Sequence, residues 1–299
     1  MSGTSEWSVT EPDKLVFEGG VDTLNVRIVN GAVNVVGVDE GPARLEVSEL
    51  DGPPLVVSHK GGTLTVTYED LPWKGLFKWL DRKGWRRHAV VSLAVPQRTR
   101  VSVGVVGASA VISGITDRTQ VRGVNGEIAL VGLTGPTTAE TVNGSVEAQA
   151  VSGDLKVNTV SGDLTVIEGS GAAVKAESVS GNMVLDLDPR GGADVRLTTV
   201  SGEIAIRIPE PGDAEVEANT TSGSVSCAFD ELRVSGQWGT KRITGRIGDG
   251  GARLRATTVS GAIALLRRPP IEDIEDVEDI ANTADVDDAE PRDPFRKDS

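Results

Sequence analysis

Between residues 155 and 166 the inward-type positions fall on every second residue, Leu155, Val157 and Thr159, until Val160-Ser161-Gly162 breaks the alternation and Leu164 and Val166 resume it. Period two sends alternate side chains to opposite faces of a strand, so the stretch predicts two short strands joined at a corner. The phrase returns at Thr141-Val142-Asn143-Gly144, Ser178-Val179-Ser180-Gly181, Thr199-Val200-Ser201-Gly202, Thr220-Thr221-Ser222-Gly223 and Thr258-Val259-Ser260-Gly261, and a first copy stands at Leu24 to Val35 around Val29-Asn30-Gly31.

Self-similarity at a fixed period marks a repeat architecture. The corner glycines read as Gly107, Gly126, Gly144, Gly162, Gly181, Gly202, Gly223, Gly245 and Gly261, a period near 19 residues, and second turns at Gly135, Gly153, Gly171, Gly192, Gly212 and Gly251 close each unit. One lap of two strands, repeated, predicts an all-β chain forming a single right-handed parallel β-solenoid. Glycine at the corner is expected to supply positive φ and close approach between laps, and Thr141, Thr159, Ser178, Thr199, Thr220 and Thr258 to stack as a small-polar ladder beside an aliphatic core. Laps about 4.8 Å apart make nine of them a prism on the order of 40 Å long, with open strand edges at both ends that need covering. The domain reading is a lead-in over 1–14, the solenoid over 15–267 with an insertion at 70–88, and a tail over 268–299.

Composition supports strands: 36 glycines, 3% aromatics and 38% hydrophobic residues in 299 positions imply an aliphatic core with many turns. A net charge of −14 argues against nucleic acid as a partner. Cys227, the one cysteine, excludes a disulfide framework and falls on an inward strand position. The start of the chain carries no secretory signal pattern, and no apolar run is long enough to span a membrane. A cytoplasmic protein, peripheral at the inner face of the membrane, is the expectation.

Candidate chemistry is sparse. The position after the corner glycine runs Glu127, Ser145, Asp163, Asn182, Glu203, Ser224, Arg246 and Ala262, with no two acids on adjacent laps and alternate-lap acids roughly 10 Å apart, outside the spacing of a retaining glycosidase pair and marginal for an inverting one. An outward column Glu140, Lys156, Lys175, Arg196, Glu217 and Arg255 contains three consecutive bases, read as a solvated face or as a contact for an acidic polymer or the acidic tail. His59 and His88 stand alone as surface or loop residues. There is no phosphate loop, nucleophile elbow or metal-spaced cluster, so no catalytic residue, cofactor or metal is expected.

Residues 72–87 break the pattern. They hold six Lys or Arg against one Asp and four of the ten aromatics, leaving −19 on the rest of the chain. Pro72 and Gly84 punctuate a short helix over 72–84 on which Trp73, Leu76, Phe77 and Leu80 share one face beside Lys74, Lys78 and Arg82. Such a segment lies in an anionic membrane interface, docks with an acidic or apolar protein partner, or packs on the solenoid. The docking residues are Trp73, Lys74, Phe77, Lys78, Trp79, Arg82, Lys83, Trp85, Arg86 and Arg87. Residues 271–299, with twelve acids and three bases, are expected to be disordered, with a helix over Ile271 to Ile280 at the open end as the alternative, and could mask the basic segment intramolecularly.

The serial Val-Ser-Gly and Val-Asn-Gly corners, the opening Leu24 to Val36, the Val95-Pro96 step and the closing Thr244 to Gly251 resemble the bacterial adhesin-like β-strand-repeat family, also called toastrack, whose biochemical function is unknown. The resemblance covers roughly residues 15–267. It implies a non-enzymatic β-solenoid linked to envelope-stress systems and supplies no catalytic residues. A scaffold or interaction module docking through 72–87 is the resulting expectation. A surface adhesin, an end-to-end filament and an enzyme acting on envelope polysaccharide are the alternatives.

Overall fold

The computed structural model describes residues 4–68, 87–188, 192–237 and 239–268, and every regular element among them is a strand. Eight strands precede the regular series: β1 (Thr4–Val9), β2 (Asp13–Phe17), β3 (Thr23–Val38), β4 (Ala43–Asp51), β5 (Leu55–Lys60), β6 (Thr63–Tyr68), β7 (His88–Pro96) and β8 (Arg100–Ser113). The series itself comprises β9 (Thr119–Arg122), β10 (Ile128–Val131), β11 (Thr137–Glu140), β12 (Val146–Gln149), β13 (Leu155–Asn158), β14 (Leu164–Gly169), β15 (Ala173–Glu177), β16 (Met183–Leu187), β17 (Asp194–Thr199) and β18 (Ile204–Ile208). After it come β19 (Ala214–Thr220), β20 (Val225–Cys227), β21 (Leu232–Gln237), β22 (Thr240–Ile247), β23 (Ala252–Thr258) and β24 (Ile263–Arg267).

Each regular lap contributes one strand to each of two parallel sheets. The odd-numbered strands β9 to β17 pair in sequence, as in Thr137↔Leu155 and Leu155↔Val174, and the even-numbered β10 to β18 do the same, as in Val146↔Leu164. Leu155, Val157, Leu164 and Val166 are all buried between the sheets. Each such side chain contributes roughly 1.5–3 kcal/mol by leaving water, and the expected solenoid with its aliphatic core stands.

The corner is built locally. Thr159 is buried and its hydroxyl accepts the Gly162 N–H at 2.9 Å; Ser178 with Gly181 at 2.8 Å and Thr199 with Gly202 at 3.1 Å repeat the bond. Positive φ is not why glycine follows: Gly144, Gly162, Gly181 and Gly202 are absent from the left-handed positions. A Cβ on Gly162 would overlap the Gly144 carbonyl oxygen, and one on Gly202 that of Gly181, so glycine is required by the approach of the preceding lap.

The lap order departs from chain order at the C-terminal end. β17 pairs with β23 and β18 with β24, while β19 and β20 lie beyond them, paired to β23 and β24. The last lap in sequence is therefore inserted ahead of the one before it. Gly245 is not a corner but a residue of β22, opposite Val216 in an antiparallel pairing that closes the first sheet, with β21 antiparallel outside it. The corner column runs Gly202, Gly261, Gly223.

At the other end β3 and β8 each span both sheets and pair with each other from Thr23↔Arg100 to Val36↔Ser113. Beneath β3 lie β6 in the first sheet and β7 in the second. The antiparallel strands β5 then β1 continue the first sheet, and β4 then β2 the second. Residues 4–9, read as part of a lead-in, thus form the outermost strand. Trp7 meets Phe17 edge to face at 5.4 Å and Phe17 meets His59 at 5.9 Å, an aromatic plug on the aliphatic core. Antiparallel strands extend both sheets at this end and the first sheet at the other, whereas among the described residues β20 ends the second sheet as a parallel edge, so the expected covering is met at three of the four sheet ends. The predicted helix at 72–84 and the tail from 269 lie outside the described residues.

Candidate docking surfaces

Register shows how residues 69–86 are inserted. Val26 and Asn30 of β3 have three residues between them; their partners Val66 and His88 have twenty-one. Eighteen residues are therefore extra at this one corner, in the place where later laps use Val-Ser-Gly. Of the ten expected docking residues only Arg87 is described; Trp73, Lys74, Phe77, Lys78, Trp79, Arg82, Lys83, Trp85 and Arg86 lie outside the described residues. The Arg87 carbonyl accepts both the backbone N–H and the side-chain Nδ2–H of Asn30 at 3.1 Å, which fixes the returning stem to β3. Its guanidinium lies 5.8 Å from the centre of the Tyr68 ring on the outgoing stem. Tyr68 is fully buried and its hydroxyl has no hydrogen-bond partner among the described residues. Burial pushes this phenol up to about 12, with Arg87 pulling the other way.

The outward face of the first sheet corrects the sequence column. Lys156 pairs with Thr138, not Glu140, and the order continues Lys175, Arg196, Arg255, Glu217. The insertion of β23 brings Arg255 beside Arg196, making four bases in succession. Three have carboxylates at hand: Lys175–Glu177 at 2.8 Å, Arg196–Asp194 at 2.5 Å and Arg255–Glu217 at 3.6 Å. Glu217 also takes Arg242 at 2.5 Å, and the adjoining groove of about 510 Å³ is lined by Arg242, Arg246, Arg253 and Arg255 against Glu215 and Glu217, a partly compensated basic surface. Such exposed pairs are worth little individually, and the column is a solvated, largely compensated face.

The corner edge has a feature the sequence reading passed over. Val142, Val160, Val179, Val200 and Val259 are exposed, each between 39% and 48%, on five consecutive laps. Lap-to-lap bonds align them: Ser161 N–H to Val142 O, Ser180 to Val160, Ser201 to Val179 and Ser260 to Val200, all 2.8–2.9 Å. Period-two patterning could have shown this, because a valine next to an inward Thr must point outward.

The column after the glycine keeps its acids apart, with Glu203 now beside Ala262. Among the described residues no His, Cys, Asp and Glu group could hold a metal ion, and no helix is long and apolar enough to cross a membrane. His59 and His88 are strand residues, packing on Phe17 and lying 3.2 Å from the Glu49 carboxylate respectively. Cys227 is half-buried, its Sγ 3.5 Å from the Phe229 carbonyl.

Stacked two-strand laps with hydroxyl-capped corners define a β-solenoid repeat protein. Residues 21–266 match the Toastrack DUF4097 family, and the chain belongs to it. No protein of curated function matches. Among solved structures the chain is similar to a proposed cell adhesion protein from Clostridium sporogenes, with 11% identity, 90% of this chain and 100% of that one covered and a TM-score of 0.24. It is also similar to a proposed lipid-binding protein from Parabacteroides distasonis, with 12% identity, 86% and 97% covered and a TM-score of 0.43. The family is one of unknown biochemical function and indicates no enzyme class.

Proposed function

We propose that the chain is a non-enzymatic β-solenoid scaffold that docks on an anionic membrane surface through residues 72–87, peripheral at the inner face of the membrane. The supporting observation is the register of the β6–β7 lap, which puts all eighteen extra residues at one corner between stems held by β3. The most basic and aromatic stretch of an acidic chain is thereby concentrated at one point of the repeat. Near an anionic leaflet each Lys or Arg contributes about 1 kcal/mol, and Trp and Phe favour the interface. In this reading Trp73, Phe77, Trp79 and Trp85 enter the headgroup region and Lys74, Lys78, Arg82, Lys83 and Arg86 meet phosphates, while Arg87, over the Tyr68 ring, anchors the returning stem.

The test is co-sedimentation of the full chain with phosphatidylserine-containing and neutral vesicles, beside a Trp73→Ala, Trp79→Ala, Trp85→Ala variant. Binding to the anionic vesicles alone, lost in the variant, is expected. Absence of binding by the intact chain would overturn membrane docking and direct attention to an acidic protein partner for the same segment.

A further inference from the structure

From the geometry of the corner edge we infer a second docking line, independent of residues 72–87, that accepts a basic amphipathic helix of a partner protein. Five exposed valines on consecutive laps, Val142 to Val259, form a continuous apolar ridge about 19 Å long at a lap spacing of about 4.8 Å. Contiguous exposed apolar surface of this kind marks interaction sites, whereas scattered single residues do not.

Beside the ridge runs the column after the corner glycine, whose acids Glu127, Asp163 and Glu203 occupy alternate laps with Ser145 and Asn182 between them. All three are exposed and have no ion-pair partner among the described residues. Asp163 spends one oxygen on the Asn182 N–H at 2.8 Å, which orients the carboxylate along the stack. A partner therefore needs apolar groups at the valine pitch and cations every second lap.

A helix meets both conditions. Its turn of 5.4 Å is close to the lap spacing, so one apolar side chain per turn seats between successive valines. Two laps are about 9.6 Å, and seven helical residues rise about 10.5 Å, so Lys or Arg at i, i+7 and i+14 face the three acids within the reach of their long side chains. A β-strand is a poor fit along this edge, because the corner N–H groups of Ser161, Ser180, Ser201 and Ser260 already bond the preceding lap and leave it nothing to pair with. A helix satisfies its own backbone.

The probe is a fluorescently labelled synthetic 18-residue peptide with Leu once per turn and Lys at i, i+7 and i+14, titrated against the full chain at low salt. A control peptide carries Glu at the Lys positions. Two variants remove the line while keeping residue types the columns already tolerate, Thr as at Thr221 and Asn as at Asn182: Val142→Thr, Val160→Thr, Val179→Thr, Val200→Thr; and Glu127→Gln, Asp163→Asn, Glu203→Gln. A third, Glu6→Gln, Glu11→Gln, Asp39→Asn, removes the same charge elsewhere.

Saturable binding of the Lys peptide, weakened at least about 10-fold by each of the first two variants but under 2-fold by the third, is the expected result. No saturable binding, equal binding of the Glu peptide, or insensitivity to the valine substitutions would overturn the inference. So would a concentration-dependent dimer that the valine substitutions abolish, since the ridge would then belong to a second copy. Vesicle binding is unaffected by these variants if both readings hold, so the two surfaces fail separately.

Discussion

Ser260 donates its backbone N–H to the carbonyl of Val200 at 2.9 Å, although sixty residues of chain separate them, and Ser222 donates to Val259 at the same distance. The lap that comes last in sequence is thus clasped on both sides by laps that precede it. Strands inside a sheet need partners on two edges, and β23 and β24 obtain them only by this insertion.

The exchange can be tested by cross-linking. Thr198 is paired with Thr257, and Thr257 with Asn219, so Thr198 and Asn219 stand two laps apart, on the order of 10 Å. In a Cys227→Ser background, Thr198→Cys with Thr257→Cys is expected to oxidise to a disulfide or accept a short bifunctional reagent. Thr198→Cys with Asn219→Cys is expected to do neither. The reverse pattern, read by mass spectrometry of digests, would restore a strictly serial stack.

Corner glycines and open glycines should respond differently to a methyl group. Gly162→Ala drives its Cβ into the Gly144 carbonyl and must separate two laps, whereas Gly20 has nothing within 4 Å of an added Cβ and no positive φ. A loss on the order of 1–3 kcal/mol or more is expected for Gly162→Ala and close to none for Gly20→Ala. Thermal unfolding of the two variants side by side decides it.

Tyr68 links burial to alkaline stability. Its phenol is raised from 10 to about 12 in the folded chain, so the contribution is complete below pH 10 and is lost as pH climbs through the folded value, because the unfolded chain gives up its proton first. Tyr68→Phe should flatten the decline in unfolding midpoint between pH 10 and 12. At pH 7 it should leave stability equal or about 1 kcal/mol higher, since a buried hydroxyl with no partner among the described residues is removed. Identical alkaline limbs for the two proteins would refute this.

Residues 271–299 carry twelve acids, and the segment 72–87 a charge of +5. If the tail competes with lipid for that segment, deleting 271–299 raises affinity for anionic vesicles several-fold at low salt, and the gain shrinks as salt screens the attraction. Equal affinity of the two proteins at every salt concentration would remove masking.

Much of the architecture is legible in short stretches of sequence. Leu155-Lys156-Val157 followed by Thr159-Val160-Ser161-Gly162 prescribes its own strand, hydroxyl cap and corner, because these depend on side-chain alternation and on a bond spanning three residues. The insertion at 69–86 was visible for the same reason, as a stretch of 72–87 with the wrong composition. The valine ridge was implicit in the alternation.

What sequence could not decide was which lap lies beside which. Thr199-Val200-Ser201-Gly202, Thr258-Val259-Ser260-Gly261 and Thr220-Thr221-Ser222-Gly223 offer the same hydroxyl, the same glycine and the same backbone ladder, so any pair of them satisfies local rules equally well. Gly245 read as a corner because its neighbours Thr244 and Arg246 resemble one, yet its partner across the antiparallel pair is Val216. Sequence alone determined the lap, its corner and its aliphatic interior, which rest on local periodicity. The order of the last laps, the antiparallel strands added beyond the stack and the line-up of bases and valines were decided only in three dimensions, where β23 and β24 gained a partner on both edges.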